Sequence, residues 1–391
     1  MTRLLRDTLH EWADESVVPH DLADRALRRR AWKPAGAAAL VVGLVAAIAV
    51  FVTGQNEPPD PVRPAIELPV RPAPAPTDVR TDTENSPPTK LIAAGRMAVS
   101  AFYTHSLEPL PENRELFRRT WSLYDPRTGG YERTSWAWVD VAPGLQVAAV
   151  LEGDLIGRRL GILDMNTRQI LSWIELEHPA ASVAWSPDGT KILATTYSSR
   201  PDVVQRDRAE QPSPRTGYYI VDARTGEAEH HELAPLPDGI TGEPISNGNS
   251  RQDLGWSLDG TMLWAPTNTR PDRVFYSLDG RRRDAPADQR YVGYSPLSAV
   301  SPNGRLLLGP DGLPTEITDV QTGQIAGRQR VLQLHAWADD DNVIALGCAG
   351  KCDDEFTNGL VLVSVDGKRM TQLAANRNTR TGDWRAVLTP R

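Results

Sequence analysis

From about residue 90 onward, apolar residues recur at every second position in short runs cut by Gly, Pro, Asp and Asn. A period of two marks half-buried β-strands. SVAWSPDGTKILATT (182–196) is echoed by DLGWSLDGTMLWAPT (253–267), SAVSPNGRLLLG (298–309), LHAWADDDNVIALG (334–347) and WAWVDVAPGLQVAAV (136–150). Each reads as strand, S-P-D-G-type turn and strand: Pro sets φ at one turn position and Gly accepts φ > 0 at another. A second strand pair follows each hairpin, as in LGILDMNTRQILSWIEL (160–176), TGYYIVDARTGEAEHHEL (216–233), TEITDVQTGQIAGRQ (315–329) and GLVLVSVDGKRMTQLA (359–374). The repeat therefore has four strands, a to d, with tight turns at a–b and c–d.

Four-stranded repeats of roughly 40–50 residues predict an all-β, six-bladed β-propeller over 90–391, with seven blades as the alternative. KLIAAGRMAVSAFY (90–103) resembles a b strand lacking its partner, LFRRTWSLYDPRTGGYERTS (116–135) supplies c and d, and GDWRAVLTPR (382–391) supplies the missing a strand. One blade built from both ends of the domain removes a free sheet edge. The string W-S-P-D-G-T-K-I-L-A (185–194) resembles the WD-repeat-like (WD40-like) and TolB-type β-propellers of bacterial envelopes, and the resemblance covers about 90–391. The WD dipeptide itself is missing, since neither Trp256 nor Trp337 is followed by Asp. The resemblance implies a bacterial, membrane-anchored propeller; the absence of catalytic motifs makes a binder the expectation over an enzyme using the central channel.

A different pattern occupies 35–54, AGAAALVVGLVAAIAVFVTG, which carries no charge. Twenty such residues as a helix span roughly 30 Å, the thickness of a bilayer core. Arg25, Arg28, Arg29, Arg30 and Lys33 precede it, while Gln55, Asn56, Glu57 and Asp60 follow. The positive-inside rule then places 1–34 in the cytoplasm and the propeller outside a cell membrane crossed once. A cleaved signal peptide is the alternative, opposed by the 34 residues before the run and the lack of a clean A-x-A site. Leu4, Leu5, Leu9 and Trp12 share one helical face, and Leu22, Ala23, Ala26 and Leu27 resume it after Pro19. These helices suit either the lipid surface or docking to a cytoplasmic protein. His10 and His20 lack any cytoplasmic Cys, which excludes the zinc site of anti-sigma domains. Residues 55–89 are Pro-rich and predict an extended spacer reaching roughly 100 Å.

Charge and composition narrow the function. Residues 1–34 carry net +1 and residues 55–391 net −8, so the propeller is acidic and no general nucleic-acid binder. No G-x-S-x-G elbow, H-E-x-x-H, phosphate loop or other cofactor fingerprint occurs, so no catalytic, cofactor or metal residue is assigned. Trp outnumbers Phe, 11 to 5. Trp138, Trp185, Trp256, Trp337 and Trp384 are read as anchors at one position of strand a, buried between blades.

The long insertions 104–115, 198–216, 234–251, 284–296 and 348–358 are all b–c or d–a connections, so they are expected on one face. Arg200, Arg206 and Arg208 alternate with Asp202, Asp207 and the further acid Glu210, a set that suits a polar protein contact. Cys348 and Cys352 are expected as a disulfide outside the membrane. Asp353, Asp354 and Glu355 beside them read as a solvated acidic loop or a calcium site, and Asp339 to Asp341 as turn residues. His230 and His231 point to opposite faces of a strand and are read as surface residues. The expected function is binding or scaffolding of a protein, peptide or envelope ligand through the long-loop face. The alternative is a transmembrane, anti-sigma-like regulator with the propeller as sensor and 1–34 as its cytoplasmic docking segment.

Overall fold

The alternating runs become antiparallel strands because two side-chain devices recur at their turns. At a–b turns a Ser hydroxyl donates to the Asp or Asn two residues on and accepts the backbone N–H five residues on. Ser186 does so with Asp188 (2.6 Å) and Lys191 (2.9 Å), Ser257 with Asp259 and Met262, and Ser301 with Asn303 and Leu306. At c–d turns an Asp carboxylate accepts the next two free amides: Asp164 those of Asn166 and Thr167, Asp222 those of Arg224 and Thr225, Asp319 those of Gln321 and Thr322. These are Asx-type turns, so the hairpins are encoded locally.

The computed structural model describes residues 65–69, 76–205, 213–236, 251–266, 273–286, 299–308, 316–352, 354, 356–380 and 382–391. Contacts divide the chain into Met1–Pro61 and Val62–Arg391, and every described residue lies in the second unit. The helices expected over 1–34 and the apolar run 35–54 lie outside the described residues. Among those described, all regular elements are strands, and no helix is long and apolar enough to cross a membrane.

The strands form five sheets, of six, seven, four, three and five strands. In the first, Trp384–Pro390 pairs with Met97–Leu110, which pairs with Arg114–Asp125 and that with Gly130–Arg133. The seven-stranded sheet is continuous because Ile170–Trp185 is one 16-residue strand, pairing with Gly157–Asp164 by one half and Lys191–Tyr197 by the other. No Gly or Asn interrupts it between Leu176 and Ala180, and only a bulge at Ala180/Ser182 marks the junction. The three-stranded sheet, Leu306–Leu308, Glu316–Asp319 and Ile325–Arg328, has a single bridge, Val300 to Leu307, where a fourth strand is expected. Four sheets thus carry four or more strands, which corrects the expectation of six, or seven, separate four-stranded blades.

The arrangement is propeller-like, and its cores show why. Each lies between successive repeats. One joins Leu91–Tyr124 to Val139–Met165, the next joins Val147–Leu176 to Ala180–Ala223, and a third joins Leu193 and Tyr218 to Leu254–Tyr276. A fourth joins Leu308 and Ile317 to Val331–Val363. The last joins Ala336–Ala374 to Ile92–Phe102 and Trp384. Both faces of the inner strands are buried, so apolar residues occur on both, whereas outer strands such as Ala228–Glu232 and Ile325–Arg328 are largely exposed.

Two expectations need correction. Trp185, Trp256 and Trp337 do share a register, each opposite the second residue of strand b: Ile192, Leu263 and Val343. Trp138 and Trp384 instead open their strands, opposite Leu151 and Thr104, and Val141 and Thr389 hold the shared position. The spacer 55–89 is also tied down in part. Ile66 donates its amide to Arg224 O, and the Asp82 carboxylate accepts the amides of Thr89 and Lys90. Arg80 bridges to Ala93, and Ser86 accepts the Trp384 indole N–H at 3.1 Å. Those contacts leave far less chain to act as an extended spacer.

Candidate functional site

Antiparallel order puts the b–c and d–a connections on the face opposite the Ser-x-Asp-Gly turns. Three of them meet there. The insertion expected as loop 104–115 is a hairpin extension: Met97–Leu110 and Arg114–Asp125 pair out to Leu110↔Arg114. Glu112 and Asn113 take φ of 61° and 57° to close it. The b–c connection after Tyr197 reaches across as Val203–Gln205, pairing with Arg114, Glu115 and Leu116. The turn around Asp154 closes the third side.

Beneath this junction lies a buried charge cluster. Asp202 Oδ1 accepts Arg119 Nη1 at 2.7 Å and Arg251 Nε at 2.6 Å, and Oδ2 accepts Arg251 Nη2 at 2.7 Å. Arg251 Nη1 also donates to both Asp253 oxygens, at 2.9 and 2.8 Å, and Tyr197 OH donates to Asp253 Oδ1 at 2.8 Å. The Arg251 guanidinium lies 4.4 Å from the Trp138 ring centre, and Arg119 lies 4.6 Å from that of Phe117. Burial would raise the Asp202 carboxyl, but the Arg251 hydrogen bonds and the Arg251 and Arg119 charges outweigh it and hold it below the usual range. Burial raises the Tyr197 phenol well above its ordinary value, and the Asp253 charge adds to this. Arg119 and Trp138 come from strands of two successive repeats, and Asp202 and Arg251 from the connections that follow Lys191–Tyr197 and precede Gly255–Trp256, so the cluster pins these parts together.

Above it opens a cleft of about 210 Å³, lined by Leu116 to Thr120, Arg133 to Ala137, Gly153 to Leu155, Arg200 and Asp202. Four Arg and two Asp line it, a local excess of positive charge on an acidic domain. Asp154 bridges the rim, taking Arg118 Nη1 on Oδ1 (3.1 Å) and Arg200 Nη2 on Oδ2 (3.3 Å). The Arg118 hydrogen bond, with the charges of both arginines, holds the Asp154 carboxyl below its usual range. Arg133 is exposed and has no ion pair among the described residues. The lining contains no His and no Cys.

Of the residues singled out in the sequence, Arg200 and Asp202 both reach this cleft. They do different things: Arg200 is on the rim, whereas Asp202 is 3% exposed and locked between two arginines. Arg206, Asp207, Arg208, Asp353 and Glu355 lie outside the described residues. Asp354 accepts the amides of Phe356 (2.9 Å) and Thr357 (2.7 Å), which is turn formation. Among the described residues no group of three or more His, Cys, Asp or Glu is placed to hold a metal ion. Cys348 and Cys352 form a disulfide. His230 and His231 do point to opposite faces, but both are half-buried rather than surface residues. His230 stacks on His178 with ring centres 3.9 Å apart, and His231 stacks on Tyr218 at 5.1 Å.

Sequence reasoning missed Arg118, Arg119, Arg133, Asp154, Arg251 and Asp253. The only local signal was the Arg118-Arg119 pair inside a strand, where one of two successive residues must face inward. No protein-family model matches this sequence, and no curated protein does. Among solved structures the chain is similar to TolB from Acinetobacter baumannii, at 14% identity over 75% of this chain and 68% of that one, with a TM-score of 0.35. It is also similar to the β-propeller domain of Cps50 (Swd1) from Myceliophteria thermophila, at 13% identity over 73% of this chain and 89% of that one, with a TM-score of 0.33. At those scores neither likeness carries an argument about this chain, and the fold rests on its own strand pairing.

Proposed function

We propose that this chain is a single-pass, membrane-anchored bacterial propeller, held outside the cell membrane by 35–54, that binds a protein or peptide without chemistry. The convergence of three connections on one charged cleft carries this reading. Long connections on a rigid scaffold are where recognition concentrates. The regulator reading, in which 1–34 docks a cytoplasmic partner, draws support from the segment 76–90. Its hydrogen bonds into the first and last repeats would couple any anchor to the propeller.

A photo-crosslinking residue at Ser135, exposed on the cleft rim, should capture a partner in intact cells. The same probe at Asn303, exposed in an a–b turn on the opposite face, should not. Equal capture from both positions would refute the proposed face. Labelling of a Ser135→Cys variant by a membrane-impermeant maleimide on whole cells is expected, and protection until lysis would refute the orientation.

A further inference from the structure

Taking the cleft as the binding site, and resting on that reading, we propose that its ligand is an acidic peptide segment whose carboxylate replaces Asp154 between Arg118 and Arg200. The same arrangement, one carboxylate between two guanidiniums from different repeats, is present twice in this region. At depth it is Asp202 between Arg119 and Arg251, with side chains 5%, 7% and 6% exposed. At the rim it is Asp154 between Arg118 and Arg200, with side chains 57%, 41% and 43% exposed; there Arg118 also donates Nε to Glu108 at 2.6 Å, so an incoming carboxylate meets its free Nη edge and Arg200. The buried copy cannot exchange, because freeing it would strand the desolvated Arg119 and leave Arg251 with Asp253 alone. The rim copy can, because solvated ion pairs of this kind contribute little.

The surroundings favour an incoming carboxylate. Arg133 stands on the same rim without an ion pair among the described residues. Arg119 lines the floor of the same cleft, held there by Asp202 at 2.7 Å. Positive charge gathered in a cleft of an acidic domain focuses the field on an anion. Planar guanidinium forks match carboxylates, and carboxylates already fill both native positions. Phe117 and Trp136 add an apolar wall beside the arginines, which suits a peptide chain better than a bare ion.

The test is titration of the full chain in detergent with N-acetylated, C-amidated hexaglutamate, with hexaglutamine as the uncharged match and inorganic phosphate as the bare anion. Hexaglutamate should bind, hexaglutamine should not, and the affinity should fall with added salt. Asp154→Asn should tighten binding about threefold, while Arg133→Ala and Arg200→Ala should each weaken it about threefold or more, the scale of a solvated ion pair. Circular dichroism should be unchanged in all three variants. Equal binding of hexaglutamine, a site filled by phosphate with the peptide silent, or an Asp154→Asn variant that binds no tighter would each overturn the proposal. If hexaglutamate is silent while the Ser135 crosslinker still captures a partner, the binding reading stands and the acidic ligand falls. If both are silent, both fall.

Discussion

Replacing Trp384 with Ala should remove about 4 kcal/mol of stability. Trp384 opens the strand Trp384–Pro390 and is 1% exposed, in the core that joins the last repeat to the first. Its ring meets Phe102 edge-on at 5.7 Å, and its N–H reaches Ser86. Truncation takes away roughly 150 Å² of buried apolar surface, which at about 25 cal/mol per Å² is about 4 kcal/mol. Large-to-small core changes of this type cost about 3–5 kcal/mol. The loss is a large share of the ~5–15 kcal/mol available to a folded protein. Urea unfolding followed by circular dichroism measures it, with Ser86→Ala as control; that change removes only an exposed hydrogen-bond partner and should cost under about 1 kcal/mol. Hydrogen exchange adds location: amides of Met97 to Thr104, paired with the Trp384 strand, should lose protection first. A Trp384→Ala variant within about 1 kcal/mol of the parent, with protection at those amides intact, would refute closure of the sheet by this strand.

Three further outcomes are expected. Asp140 accepts the Trp185 amide across two repeats, and burial pushes its carboxyl up to about 7. The folded chain then holds a proton that the unfolded chain has released, so this group's contribution is full below about pH 4 and is lost as pH rises to 7. Asp140→Asn should abolish that decline and gain about 2 kcal/mol at pH 8, allowing for the solvent that still reaches the group; identical slopes in urea midpoints from pH 4 to 8 would refute it. Asp202→Ala strands Arg119 and leaves Arg251 with Asp253 alone, and should cost about 3–5 kcal/mol in chemical unfolding, whereas a cost below about 1 kcal/mol would show that the cluster holds nothing together. Alkylation of the purified chain without reductant should label neither Cys348 nor Cys352, and reducing so short a loop should cost at most about 2 kcal/mol; two labelled thiols would refute the bridge.

Legibility followed the range of the interactions. The a–b and c–d hairpins could be read because Ser186 meets Asp188 and Asp222 meets Thr225 within a few residues, and such bonds depend on little else. The fusion of two repeats through Ile170–Trp185 could not, because alternation looks the same in one long strand as in two short ones. Trp138 and Trp185 looked equivalent by spacing, yet three residues along a strand moved Trp138 to the other end of the sheet. In the cleft, Asp202 was visible only as one acid among alternating charges. Its partners lie 83 and 49 residues away, and no local pattern encodes that meeting.

The sequence by itself determined the strand alternation, the turn chemistry and the acidity of residues 55–391, all properties of neighbouring residues or of composition. Only the tertiary structure decided how strands merged into sheets, which tryptophans shared a register, and which charges were locked rather than open. Those outcomes depend on desolvation and on distances between repeats, which are set when the sheets pack face to face. Asp154 and Asp202 are chemically identical side chains; burial between Arg119 and Arg251 makes one a fixed part of the scaffold, and exposure between Arg118 and Arg200 leaves the other exchangeable.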